Sequence, residues 1–212
     1  MLPAGEYWDF RACGAATGCR LSQFGGPQEV KRVEERLRAS SLHEQPASGH
    51  VLTHQKFRVA VAGCANCCSE PQIRDFALVA VTRPGVTEEP CTDCRACVKA
   101  CPDRAITLKG GPVIDRTACL DCGMCIRVCP TGTLAPATRG VKVLVGGRLG
   151  RRPVLARTLV DLVSLDEGLR LLDACISFYL AHKLPRERFS ALIDRVGLEA
   201  LRQASDQEAA TS

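Results

Sequence analysis

The strongest constraint on this chain is a doubled cysteine run. Cys91-x2-Cys94-x2-Cys97-x3-Cys101-Pro102 returns 28 residues later as Cys119-x2-Cys122-x2-Cys125-x3-Cys129-Pro130. Thiolates spaced this way on a tight turn reach three corners of one iron–sulfur cube, while the cysteine before proline points toward the neighbouring cube. The spacing therefore predicts two [4Fe–4S] clusters with crossed ligation. Cys91, Cys94, Cys97 and Cys129 should hold one, and Cys119, Cys122, Cys125 and Cys101 the other. A structural zinc site uses four ligands, in two close pairs or with histidine, and this repeat of eight cysteines fits it poorly.

The rest of the composition agrees with metal chemistry. The chain has 212 residues, 46% of them apolar, which suits one compact domain plus a smaller one and argues against disorder. No apolar run reaches the eighteen or so residues that a membrane-spanning helix needs, and the stretch from Met1 to Phe10 carries acidic residues where a secretory signal would be basic and then apolar. A cytoplasmic protein without a membrane partner is expected. In a reducing compartment its 14 cysteines read as metal ligands or redox groups. The net charge of +5 is more than cancelled if three cubes each bring roughly two negative charges. The Lys and Arg excess is thus internal compensation, and no nucleic-acid partner is expected.

Of the remaining cysteines, Cys13-x5-Cys19 lies near the start, and Cys64-x3-Cys68 follows the strand-like run Phe57 to Ala62. Four thiolates from two separated loops can form a third cubane site. Cys67 sits inside the spacer and creates a rival Cys64-x2-Cys67 reading. Cys175, in an apolar helical stretch, reads as a small buried hydrophobe.

Residues Thr87 to Pro136 resemble a bacterial two-cluster ferredoxin, which implies two pseudo-symmetric β-α-β units. The run Gly63-Cys64-Ala65-Asn66-Cys67-Cys68, with Ala12-Cys13-Gly14 before it and Pro71-Gln72-Ile73-Arg74-Asp75 after it, resembles the sirohaem sulfite and nitrite reductases. Within that family the resemblance is to the C-type chain of the anaerobic sulfite reductases and to the dissimilatory sulfite reductases, and it extends from Arg11 to about Ala156. It implies an α+β fold: a sulfite/nitrite reductase 4Fe-4S half-domain at 1–86 and 137–212, with a two-cluster ferredoxin domain inserted at 87–136.

The same resemblance implies site residues. Cys68, in register with Asn66, would share its sulfur between the third cluster and sirohaem iron. Lys56 and Arg58 match a basic pair aimed at the anionic substrate, where fixed cations stabilise charge developing as oxygen leaves. Gln72 joins the cofactor-binding set. Gly146, Gly147, Arg148, Arg151 and Arg152 match a glycine-rich loop near the sirohaem carboxylates, where glycine allows close backbone approach and arginine pairs as a planar fork. Gly146-Gly147-x-x-Gly150 is not a dinucleotide fingerprint, so NAD binding is not expected.

Only twelve residues precede Cys13, where catalytic relatives carry a ferredoxin-like half-domain, so either a partner or a second copy completes the pocket, or sirohaem is bound openly, or the third cluster serves electron transfer alone. The implied function is a small dissimilatory-type sulfite or nitrite reductase, or its iron–sulfur subunit, fed by an electron-donor protein or flavin subunit. The alternative is an electron-transfer subunit that lacks sirohaem.

Elsewhere Pro27 opens a predicted helix with Val30, Val33 and Leu37 on one face and a solvated charged face. Ser40 to Gln55, containing His43, His50 and His54, reads as a linker. A strand pair is predicted at 57–62 and 76–81. Ser164-x-x-Glu167 reads as a capping box before a helix through Leu172 and Tyr179, and Pro185 opens a further helical segment with Phe189, Leu192, Ile193 and Val196 that ends at Gly197. The polar tail from Gln203 to Ser212 is expected to be loose.

Overall fold

In Phe57-Arg58-Val59-Ala60-Val61-Ala62 every second side chain is a large apolar one, the pattern of a strand with one heavy face. The computed structural model, which describes residues 7–44 and 56–210, makes this segment strand β2 (Phe57–Ala62). Strand β1 (Trp8–Ala12) lies parallel to it, with Trp8 opposite Phe57 and Ala12 opposite Val61. On its other side β3 (Phe76–Val86) is also parallel. Two short strands, β4 (Ile106–Leu108) and β5 (Pro112–Ile114), form a separate hairpin. The large sheet is completed by β6 (Leu134–Val145) and β7 (Arg157–Val163), both antiparallel to their neighbours, in the order β1-β2-β3-β6-β7.

The heavy face of this sheet carries Phe57, Val59, Val61, Phe76, Leu78, Val141, Val143 and Val145. It is covered by α1 (Pro27–Arg38), α4 (Leu165–His182), α5 (Phe189–Val196) and α6 (Leu198–Ala210). Phe57, Phe76 and Phe189 are fully buried there, each contributing about 2–3 kcal/mol by leaving water. Helix α4 starts as its sequence predicts, Ser164 Oγ accepting the N–H of Glu167 at 3.1 Å. It rides close to the sheet because residue 168 is glycine: a Cβ there would meet Val141 Cγ2 at 2.8 Å.

The opposite face is light. Ala60, Ala62, Ala77, Val79 and Leu144 form a thin second core, against which Cys67 and Ala156 pack. Two loops cover this face. The 63–75 loop leaves β2 and turns back so that Asp75 N–H reaches Arg58 O at 3.0 Å. The 146–156 loop is pinned to it by Gly147 N to Arg74 O at 2.7 Å and Ala156 N to Gln72 O at 2.7 Å.

β3 runs five residues past the predicted Val81, and β6 begins at Leu134, so the two pair continuously out to Val86 and Leu134. They form a two-stranded stalk. Residues 87–133 fold at its tip, with α2 (Ala96–Ala100), the β4–β5 hairpin and α3 (Met124–Arg127) packed around Cys97, Ile106, Cys125 and Leu134.

Three expectations are corrected. The charged face of α1 is not simply solvated: Arg32 pairs with Asp166, and Arg36 Nε lies 2.7 Å from Asp173 Oδ2, tying α1 to α4. Asp173 raises the Arg36 pKa further. The tail is not loose at Gln203, because α6 continues to Ala210 with Leu201 and Ser205 buried. Part of the predicted linker is ordered as a short 3-10 turn, Ser41–Glu44, while His50 and His54 lie outside the described residues.

Candidate functional site

The cysteine repeat is also a backbone repeat. Asp93 and Asp121, Arg95 and Gly123, and Arg104 and Gly132 are pairs 28 residues apart, and all six adopt positive φ between 52° and 76°. Left-handed residues inside each turn aim successive N–H groups inward, the arrangement that suits sulfur anions. Arg95 bears the steric cost of this conformation, whereas glycine meets it freely at 123.

The eight cysteines divide between two spaces. Cys91, Cys94, Cys97 and Cys129 line one, with Leu108, Thr133 and Leu134. Cys101, Cys119, Cys122 and Cys125 line the other, with Ala105, Ile106 and Met124. In each, the cysteine that precedes proline crosses over from the other motif. The thiols accept backbone N–H groups: Asp93 N to Cys91 at 3.4 Å, Ala105 N to Cys101 at 3.3 Å and Leu134 N to Cys129 at 3.4 Å. Burial, with Cys122 and Cys119 beside it, pushes the Cys125 thiol up to about 11. Loading any metal centre here must therefore expel protons. Among the described residues, no three His, Cys, Asp or Glu side chains close tightly enough to hold a single metal ion.

A third group forms where β1 and β2 end. Cys13 and Cys64 follow these adjacent strands closely, so strand pairing brings the two loops together. Cys13 Sγ accepts Gly63 N at 3.1 Å and Ala15 N at 3.4 Å. Burial pushes the Cys64 thiol up, Asn66 N–H opposes the shift, and Cys13, Cys68 and Cys19 are all near enough to add to it. Cys68 and Cys19 are exposed. Cys67 is half-buried in a left-handed conformation (φ 51°); burial pushes its thiol up, and the Gln72 side chain opposes the shift. Cys175 is buried within α4, far from these loops in sequence and packed in the main core.

The basic residues fall into two groups. Arg58 turns inward: its Nη2 donates to Ile73 O at 3.0 Å and its Nε stands 3.5 Å from Asp75 Oδ2. Arg148 binds Asp194 at 2.6 Å and Arg152 O at 3.2 Å. Lys56 is half-exposed, and Arg151 and Arg152 are exposed on the 146–156 loop. Gly147 has a packing reason, since a Cβ there would fall 2.5 Å from Gln72 O, and Gly146 occupies φ +77° beside Ile193.

Sequence reasoning missed several partners. Arg74, buried, meets Glu70 at 3.2 Å and Asp9 at 3.4 Å, while exposed Arg11 meets Glu70 at 2.8 Å. Arg188, from the loop before α5, approaches buried Asp75 at 3.9 Å. Arg74 and Asp75 stand inside the Pro71-Gln72-Ile73-Arg74-Asp75 motif, but nothing local could have paired residue 75 with residue 188.

Residues 22–212 match the nitrite and sulphite reductase 4Fe-4S domain. The chain belongs to that family. It is 33% identical over 189 residues to the coenzyme F420-dependent sulfite reductase of Methanocaldococcus jannaschii, covering 88% of this chain and 28% of that protein. Over 71 residues it is 32% identical to the assimilatory-type sulfite reductase of Nitratidesulfovibrio vulgaris, covering 34% of this chain and 33% of that one. Its fold is similar to that of dissimilatory sulfite reductase I, with a TM-score of 0.66 at 18% identity, over 93% of this chain and 51% of that chain. The chain thus spans about half of that structure and under a third of the archaeal relative. It is a sulfite-reductase-like, iron–sulfur-binding member of the family, α+β in fold, and among the described residues no helix is long and apolar enough to cross a membrane.

Proposed function

We propose that the chain is the iron–sulfur and sirohaem-binding part of a sulfite or nitrite reductase, holding three [4Fe–4S] clusters and one sirohaem. The observation that carries this reading is the crossed division of the eight cysteines: each of the two spaces takes three thiols from one motif and the proline-adjacent thiol from the other. This is the ligand pattern of paired cubes. Cys13, Cys19, Cys64 and Cys68 would hold the third cluster, supported by the mutual approach of their thiols around Cys64.

The donor set suits sirohaem as well. Exposed Cys68 can offer its sulfur outward, and Arg11 beside Glu70, with Arg151 and Arg152 on the adjoining loop, can meet carboxylates. Sirohaem, when bound, supplies the iron at which the oxyanion is reduced. The chain's residues do the rest: the cysteines hold the centres, N–H groups to Cys13, Cys91, Cys101 and Cys129 stabilise thiolate charge, and Lys56 offers a cation to the substrate. Arg58 acts from behind, as part of the buried network that fixes the 63–75 loop.

The deciding experiment is an anaerobic visible spectrum of freshly purified protein, with iron and sirohaem quantitation. About twelve irons with sirohaem bands support the reductase and make sulfite and nitrite turnover the next assay. About twelve irons without sirohaem, in the presence of added sirohaem, leave an electron-transfer subunit instead.

A further inference from the structure

The two cysteine sets of the 87–133 unit are not placed equally with respect to the third. The contacts that fasten this unit to the base of the stalk and to the 20–23 loop come from its second half, at Arg116, Asp121 and Arg127. Thr82 N–H reaches Asp121 O at 2.7 Å, Arg83 Nη2 pairs with Asp121 at 3.0 Å, and Arg116 Nη2 binds Pro84 O at 2.8 Å. Arg127 then reaches the loop that follows Cys19, donating to Arg20 O at 2.7 Å and to Ser22 O at 3.2 Å. Among the described residues, no hydrogen bond joins the turn from Cys91 to Cys101 to that loop or to the sheet.

Gln23 lies at the centre of this junction. A Cβ on Gly123, between Cys122 and Cys125, would fall 2.8 Å from Gln23 Oε1 and 3.3 Å from Thr82 Cβ, and its φ of +70° favours glycine where the two loops meet. The backbone N–H of Gln23 binds Gly63 O at 2.6 Å, and Gly63 N–H binds Cys13 Sγ at 3.1 Å. Gly63 is itself wedged against the Cys13–Cys19 loop, where a Cβ would meet Ala15 Cβ at 2.6 Å and Ser22 Oγ at 2.9 Å. An unbroken line of close contacts therefore runs from the Cys119–Cys125 turn through Gln23 and Gly63 to the thiol of Cys13.

We propose that Gln23, Gly123 and Arg127 are positioning residues that lock the Cys101/Cys119/Cys122/Cys125 set next to the Cys13/Cys19/Cys64/Cys68 set, leaving the Cys91/Cys94/Cys97/Cys129 set outermost. This rests on the three-cluster reading above. It fixes the order: a reduced one-electron carrier protein meets the outer set, where Cys94 is exposed, and the third set exchanges electrons with the inner one. Each crossing moves a single electron, oxidising the inner centre by what the third centre gains, with no bond made or broken.

The test is electron paramagnetic resonance of the reduced full chain, read as spin–spin splitting on the signal of the third centre. Two variants each remove one set: Cys122→Ala with Cys125→Ala, and Cys94→Ala with Cys97→Ala. Iron should fall from about twelve to about eight in both, which checks the cluster reading separately. The splitting should vanish in the first variant and persist in the second; the reverse pattern, or persistence in both, overturns the proposal. In Arg127→Ala with Gln23→Ala iron should stay unchanged while the splitting falls at least twofold. An unchanged splitting there removes these side chains from the junction.

Discussion

Asp75 Oδ2 accepts the backbone N–H of Arg58 at 3.0 Å and lies 3.5 Å from the Nε of the same residue, so one carboxylate holds both the chain and the side chain of Arg58. Asp75 is 1% exposed, and Arg188 approaches its other oxygen. Burial pushes its carboxyl up, while the Arg188 and Arg58 cations and the Arg58 N–H push it down. Asp75→Ala should cost about 3–5 kcal/mol, because it strands buried guanidinium charge. Asp75→Asn, which keeps an acceptor, should cost less. Urea unfolding midpoints measure both, and a loss under about 1 kcal/mol in Asp75→Ala would show that the network does not hold the loop.

The same network separates the two basic residues read from the sequence. Lys56→Ala should leave unfolding unchanged and raise the sulfite or nitrite KM. Arg58→Ala should lower stability by about 2–4 kcal/mol, in the range for breaking a buried hydrogen-bonded charge pair. Thermal unfolding beside steady-state kinetics tests the division, and equal effects of the two variants on KM, with stability intact, would return Arg58 to the substrate.

At Gly147 the backbone requirement comes from the protein itself. A methyl group there would press on Gln72 O at 2.5 Å and on Arg74 N and O at 2.8 Å. Gly147→Ala should therefore destabilise the chain by about 1–3 kcal/mol whether or not sirohaem is bound. If the melting temperature falls only in sirohaem-loaded protein, the glycine serves the cofactor.

Cys67 and Cys68 are neighbours that face different surroundings. The Cys67 thiol packs on the light face of the sheet and meets Gln72, whereas Cys68 is exposed beside Cys64. Cys67→Ala should keep about twelve irons per chain, and Cys68→Ala should drop to about eight and lose sirohaem bands. Iron assay and visible spectra decide between the two registers.

Much of the chemistry was legible because it is written in local spacing. A 28-residue period sets both the cysteine positions and the left-handed turns between them. The alternation at Phe57 to Ala62 and the Ser164 cap were likewise local signals. What could not be read was anything that depends on long-range approach. The inward turn of Arg58 depends on Asp75 and Ile73 folding back over it, and the docking of the α1 cations depends on Asp166 and Asp173, more than 130 residues away. The tail from Gln203 is helical although its composition is polar, because Ala204 packs on the main core and Ser205 is buried.

The corner between α4 and α5 should give the chain a measurable acid sensitivity. The Glu187 carboxylate accepts from Nε and Nη2 of Arg195, at 2.9 and 2.8 Å, and from the N–H of Leu184 at 2.9 Å, while Tyr179 OH donates to the Glu187 carbonyl at 2.8 Å. Arg195 also binds His182 O, so the carboxylate closes the end of one helix onto the next. The Arg195 hydrogen bonds hold the Glu187 carboxyl below its ordinary range. A depressed folded-state value means that this contribution is complete above the unfolded value near about 4.3 and is lost as pH falls through the lower folded value. Glu187→Gln should therefore be less stable than the unaltered chain at about pH 7, with the gap closing below about pH 4 as the native carboxylate takes up its proton. Thermal unfolding midpoints of both chains across that range give the result, and a gap that stays constant would mean that Glu187 acts by shape and not by charge.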